Sequence, residues 1–128
     1  MITFDDFKKI EMRAGRILSA EKIPNTDKLL RLSVDFAETV QKTDGASIVA
    51  VVPAPRQIIS GISAYFPDPS FLVGKTCMFV TNLEPRMIRG FESNGMILAV
   101  STPIDADGKS GFSLLEPNST IPPGTLAK

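Results

Sequence analysis

The 128 residues include no histidine, no tryptophan, one tyrosine and one cysteine. Without histidine the chain lacks the commonest general base and the commonest metal ligand. The lone cysteine, Cys77, has no partner for a disulfide and cannot build a zinc site. Its apolar surroundings predict a buried thiol in a reducing compartment. Gly74-Lys75-Thr76 matches only the end of a phosphate-binding loop, because Pro69 stands where the first glycine belongs. Ser60-Gly61 lies outside any Gly-x-Ser-x-Gly setting. This inventory argues against an enzyme, a bound metal or cofactor, and a small-molecule substrate. No apolar run approaches the roughly 20 residues of a membrane-spanning helix. Met1–Met12 carries Asp5, Asp6, Lys8, Lys9 and Glu11 rather than a basic start and an unbroken apolar stretch, so a cytoplasmic protein is expected. A charge excess is also missing. Fourteen Lys and Arg balance fourteen Asp and Glu, whereas nucleic-acid-binding domains are usually basic, so any such function needs a local basic face.

What is present is ordinary for a globular domain: 43% hydrophobic and 22% charged residues, in a length that suits one domain over 1–128 with one core. Thr3-Phe4-Asp5-Asp6 has the form of a helix start, and Phe4, Phe7 and Ile10 follow at helical spacing, which predicts a short helix over 4–10. Alternation from Met12 to Ser19 predicts a strand, with Gly15 marking a bulge or bend. A turn at Ile23–Asp27 leads to a second strand that sets Leu30, Leu32, Val34 and Phe36 on one face. Asp44-Gly45, between Glu38–Gln41 and Ser47–Val52, predicts a hairpin. Arg56–Ser60, Thr76–Thr81 and Gly95–Ser101 read as strands, Asn82–Asn94 as a polar loop, and Phe112–Leu115 as a further short strand. Many short strands, frequent turns and one small helix specify an all-β protein built as a closed or nearly closed barrel.

Three ordered segments carry a resemblance. Asn25-Thr26-Asp27-Lys28-Leu29-Leu30 with Val34-Asp35 is the first, and Arg56-Gln57-Ile58-Ile59-Ser60-Gly61-Ile62 the second. The third joins Gly74-Lys75 to Asn82-Leu83-Glu84-Pro85-Arg86-Met87-Ile88-Arg89-Gly90 and Ser93-Asn94-Gly95-Met96-Ile97-Leu98-Ala99. Together they resemble the tRNA-binding domain found at the carboxyl end of many methionyl-tRNA synthetases, in free-standing tRNA-binding proteins and in CsaA-type export chaperones. The resemblance runs from about Phe4 to Ile121-Pro122-Pro123-Gly124-Thr125. It implies an OB-fold of five barrel strands with a short N-terminal helix and small additional C-terminal strands. It also implies a homodimer, shape-selective tRNA binding without catalysis, and an aminoacyl-tRNA synthetase as a possible partner. A CsaA-like chaperone that binds unfolded peptides is the alternative. One departure stands out: residues 36–55 separate Val34-Asp35 from Arg56 where the family has a short loop, so residues 37–55 read as an extended hairpin insertion.

For tRNA, the resemblance singles out Arg86 and Arg89, whose guanidinium groups suit phosphates and exposed bases, with two solvated arginines balanced by Glu84 and Glu92 as the competing reading. Asn82 can bond a base edge or a ribose hydroxyl, or hold the loop's own backbone. Ser93 and Met96 belong to the family's Ser-x-Gly-Met surface, with core packing the competing role for Met96. Lys28 and Arg56 would add positive charge, with Asn25 on the turn beside them. Tyr65 and Phe66 could stack on bases, although packing beneath a loop or at an interface is the simpler expectation.

Overall fold

A computed structural model describes residues 1–128. Helix α1 spans Phe4–Phe7 and opens with a reciprocal cap. Thr3 Oγ1 accepts from Asp6 N at 3.1 Å, and Asp6 Oδ2 accepts from Thr3 N at 3.3 Å. The helix is shorter than the 4–10 expected from spacing. Beyond Phe7 the bonds tighten to Lys9 N–Asp6 O and Ile10 N–Phe7 O, the three-residue spacing of a fraying end, and no helical residue is buried.

Strands β1 (Met12–Lys22), β2 (Leu30–Asp35), β5 (Arg56–Ser60), β6 (Thr76–Val80) and β9 (Met96–Ile97) form one antiparallel sheet in the order β5-β2-β1-β6-β9. The long β1 serves both halves of it. Met12–Arg16 pair with β6 and Arg16–Lys22 with β2, and a register shift between Ile17 and Ser19 turns the strand from one partner to the other. Gly15 therefore does not mark the bulge. It is a close-packing position, where a Cβ would lie 2.6 Å from both the Phe36 ring and Val34 Cγ1.

Leu30, Leu32 and Val34 point inward from β2 and meet Ile17, Ile58 and Phe79, while Arg31, Ser33 and Asp35 alternate outward. Phe36 and Phe79 cross edge to face with ring centroids 5.2 Å apart. The result is an all-β, nearly closed five-stranded barrel of OB type. Strands β3 (Thr39–Asp44) and β4 (Ser47–Pro53) make a separate hairpin with no buried residue, turning at Gly45. Strands β10 (Ala99–Ser101) and β11 (Phe112–Leu114) pair nearer the C-terminus. The strand expected over Gly95–Ser101 divides at Leu98, whose N–H bonds Met78 and whose carbonyl bonds Leu115, so the chain changes partner there. The 3-10 turn Ser63–Tyr65 places Tyr65 flat on Phe112, with centroids 3.9 Å apart, and Phe66 edge-on to the same ring at 6.0 Å. No helix is long and apolar enough to cross a membrane.

Candidate nucleic-acid interface

The segment expected to be a polar loop, Asn82–Asn94, contains a hairpin of β7 (Arg86–Ile88) and β8 (Phe91–Ser93). Its two-residue turn is Arg89-Gly90, both left-handed with φ of 51° and 83°. Positive φ at both central residues is the type I′ turn that matches strand twist, a site usually filled by Asn-Gly. An arginine at the first position is strained by its own Cβ.

The hairpin is fastened to the outer edge of β5 by side chains rather than by a regular strand ladder. Ser93 Oγ accepts from the buried Ile59 N–H at 3.0 Å and donates to Gly95 O at 3.2 Å. Gln57 Nε2 donates to Glu92 O at 3.0 Å, and Asn94 N donates to Gln57 O at 2.8 Å. Asn94 lies beside Gln57, Ser93 beside Ile59, and Phe91 beneath Arg31, the β2 partner of Ile59, so the turn Arg89-Gly90 lies toward the Ser60–Gly61 end of β5. Lys28 is tied to that same end, its carbonyl accepting from Ser63 N at 3.1 Å. The Arg31 guanidinium lies 5.2 Å over the Phe91 ring while pairing with Glu21.

The eight residues singled out from the sequence fall into two groups. Arg86, Arg89, Lys28 and Asn25 are exposed, and the three cations take part in none of the five ion pairs of the chain. Asn25 sits on the β1–β2 turn with φ of 64°. Met96, 46% exposed, pairs with Val80 at the sheet's far edge. The other three have their polar atoms bound within the protein. Ser93 is 4% exposed, and the two bonds already described occupy its hydroxyl. Asn82 accepts from Glu11 N at 2.8 Å and donates to Lys9 O at 2.7 Å, which fixes the exit of α1 to the loop after β6. Arg56 grips both oxygens of Glu38, at 2.7 and 2.8 Å, and donates to Thr81 O at 2.6 Å. That hydrogen-bonded pair holds the Glu38 carboxyl below its ordinary range and raises the Arg56 guanidinium. Its charge is thus largely neutralised, at the root of the β3–β4 hairpin.

Arg31, Phe91 and Gln57 also shape this interface. Alternation along β2 signals that Arg31 faces outward, but nothing local announces that Phe91 lies beneath it. Cys77 is fully buried, and burial pushes its thiol up to about 12, which makes it a packing residue without nucleophilic character.

Comparison with known proteins identifies the family of the chain. A family model described as "Putative tRNA binding domain" matches residues 12–126. Methionine–tRNA ligase of Methanospirillum hungatei is 42% identical over 124 residues, covering 97% of this chain and 15% of the ligase. The same ligase of Methanoregula boonei is 41% identical over 125 residues, covering 98% of this chain and 15% of its own length. The chain therefore spans about 15% of the length of these curated relatives. Among solved structures, a MetRS-related protein from Pyrococcus horikoshii superposes with a TM-score of 0.78 at 33% identity, covering 100% of this chain and 98% of that one. The chaperone CsaA from Bacillus anthracis superposes with a TM-score of 0.69 at 26% identity, covering 100% and 99%. By its sequence and its barrel, the chain belongs to the tRNA-binding domain family.

Proposed function

We propose that this chain binds tRNA by shape and phosphate contacts without catalysing a reaction. It would act as a free-standing module, or as a detached counterpart of the methionyl-tRNA synthetase C-terminal domain, that assists aminoacylation in the cytoplasm. The observation that carries this reading is the β7–β8 hairpin: two arginines without ion-pair partners, one of them held at a strained turn position that asparagine or glycine would fill more comfortably. Arg86, Arg89 and Lys28 contact phosphates, with Asn25 and Met96 at the margins of the footprint. Asn82, Ser93 and Arg56 serve the same site by holding its backbone. A chain of zero net charge then binds RNA through one local basic face.

Homodimerisation belongs to this proposal. Phe4 and Ile10 on and beside α1 and Leu126 near the C-terminus line an exposed apolar cleft of about 340 Å³, and a second copy would cover it. The same cleft favours the second reading, a CsaA-like chaperone holding an unfolded peptide, which would need no basic hairpin. Equilibrium titration of labelled bulk tRNA, at low and at physiological salt, separates the two. Saturable binding that weakens with salt supports the tRNA reading. No binding at low salt overturns it in favour of peptide binding, tested with a denatured protein substrate.

A further inference from the structure

The aromatic cluster around Tyr65 is not needed to hold the tRNA-facing hairpin, yet it has the form of a binding site. Tyr65 stacks on Phe112 with planes 7° apart and centroids 3.9 Å apart, and Phe66 braces Phe112 edge-on. One face of the Tyr65 ring is thus covered, while the residue as a whole remains 45% exposed. Phe66 and Phe112 pack against the barrel core, and Tyr65 covers Phe112 from the outside. Tyr65 also forms a wall of a cleft of about 380 Å³, which contains Lys75, Ser110, Ser113 and Glu116. Lys75 and Glu116 pair across it at 3.2 Å. The cleft therefore offers an aromatic surface, an ion pair with further donor and acceptor capacity, and the Ser110 hydroxyl, while the Ser113 hydroxyl donates to Leu114 O at 2.9 Å.

That combination suits an unpaired nucleobase. The ring face accepts a planar heterocycle, the carboxylate accepts from an exocyclic amino group, and the ammonium meets a carbonyl or a phosphate. The position is also suitable. Tyr65 belongs to the turn that follows β5, beside Ser63, whose N–H bonds the Lys28 carbonyl, and the Arg89-Gly90 turn lies toward this same end of the sheet.

We propose that the Tyr65–Phe112 stack is a platform for an unpaired nucleobase of the bound tRNA. This rests on the tRNA reading and adds a base contact to its phosphate contacts. Such stacking tolerates any base, so it strengthens binding without selecting a sequence.

The composition supplies a site-specific test, because Tyr65 is the only tyrosine in the chain. Incorporating fluorotyrosine places one fluorine resonance at the site, and anisotropy of labelled tRNA reports binding on the same samples. The expected result is a ring-current shift of that resonance that saturates together with the anisotropy. Tyr65→Phe should then retain affinity, whereas Tyr65→Leu, with an unchanged melting temperature, should weaken it roughly tenfold. Trimming the single-stranded 3′ end of the tRNA identifies the source of the base: loss of the shift assigns the terminus, and its persistence assigns a loop. Saturating anisotropy with an unmoved resonance would overturn the platform and leave the tRNA reading standing. Absence of any anisotropy change would overturn both.

Discussion

Arg89 is where backbone chemistry and proposed function pull in opposite directions. Its φ of 51° at the first central position of the β7–β8 turn costs an L-residue about 1–2 kcal/mol relative to glycine. Arg89→Gly should therefore raise the melting temperature while weakening tRNA binding; a variant that lost both would show the guanidinium to be structural. Ser93 makes the opposite case. Ser93→Ala leaves the buried Ile59 N–H without its acceptor, a loss of about 1–3 kcal/mol, and loosens β8 from β5. Thermal unfolding should register that loss, and tRNA affinity should fall with it although the hydroxyl touches no ligand. These two residues also show how far the sequence could be read. The Ser-x-Gly-Met pattern marked Ser93 as important but could not separate contact from support, because that depends on the Ile59 amide, 34 positions away. Arg89 was recognisable as a basic loop residue, whereas its left-handed backbone was not, since Arg-Gly is a poor signature for a type I′ turn.

Elements were legible where they carry their own periodicity. β2 and β5 stood out as strands because apolar side chains alternate or cluster in the residues themselves, and the Asp44-Gly45 turn was visible for its glycine. The β7–β8 hairpin was not legible, because strands of three residues offer too few positions to establish a period. Helix α1 is shorter than its spacing suggests for a related reason: Ile10 keeps helical spacing, but the Lys9 carbonyl is bound by the Asn82 side chain, not by a further helical turn. At this scale the Glu38–Arg56 pair joins the β3–β4 hairpin to the barrel. Glu38, like the Arg13-bonded Glu11, has a carboxyl held below its ordinary value near 4.5 in the folded protein. The unfolded chain therefore binds more protons than the folded one in this range. The stability contributed is fully present above about that value and is lost as pH falls through the depressed folded value. Melting temperature should decline on acidification below pH 4.5, and Glu38→Gln should make the decline shallower. The hairpin itself buries nothing. Replacing Thr39–Pro53 by a short glycine linker should leave the cooperative unfolding of the barrel intact, and a collapse of its near-ultraviolet dichroism would show hidden packing.

For the whole molecule, the balance of fourteen cations against fourteen anions makes the placement of charge the decisive question. Five cations are already paired with carboxylates, so the field available to a polyanion comes from those that are not, among them Arg86 and Arg89 on the β7–β8 hairpin, which also carries Glu92. Binding through such a face must release counterions, and affinity must fall as salt rises. The Arg86→Ala, Arg89→Ala double variant should lower affinity for every tRNA alike and reduce the slope of log K against log salt by about 1 for each arginine. It should leave the melting temperature unchanged or slightly raised, because neither side chain supports the barrel and alanine in the left-handed turn position is no more strained than arginine. Association of an unfolded peptide with the α1 cleft would be indifferent to the same substitutions, since that surface is apolar and lies on other elements. Titrating wild type and double variant with tRNA across a salt series therefore decides between the readings. A reduced slope at unchanged stability locates the RNA on the hairpin. An unchanged slope moves the RNA elsewhere on the barrel, and a wild type with no salt dependence removes RNA as the partner.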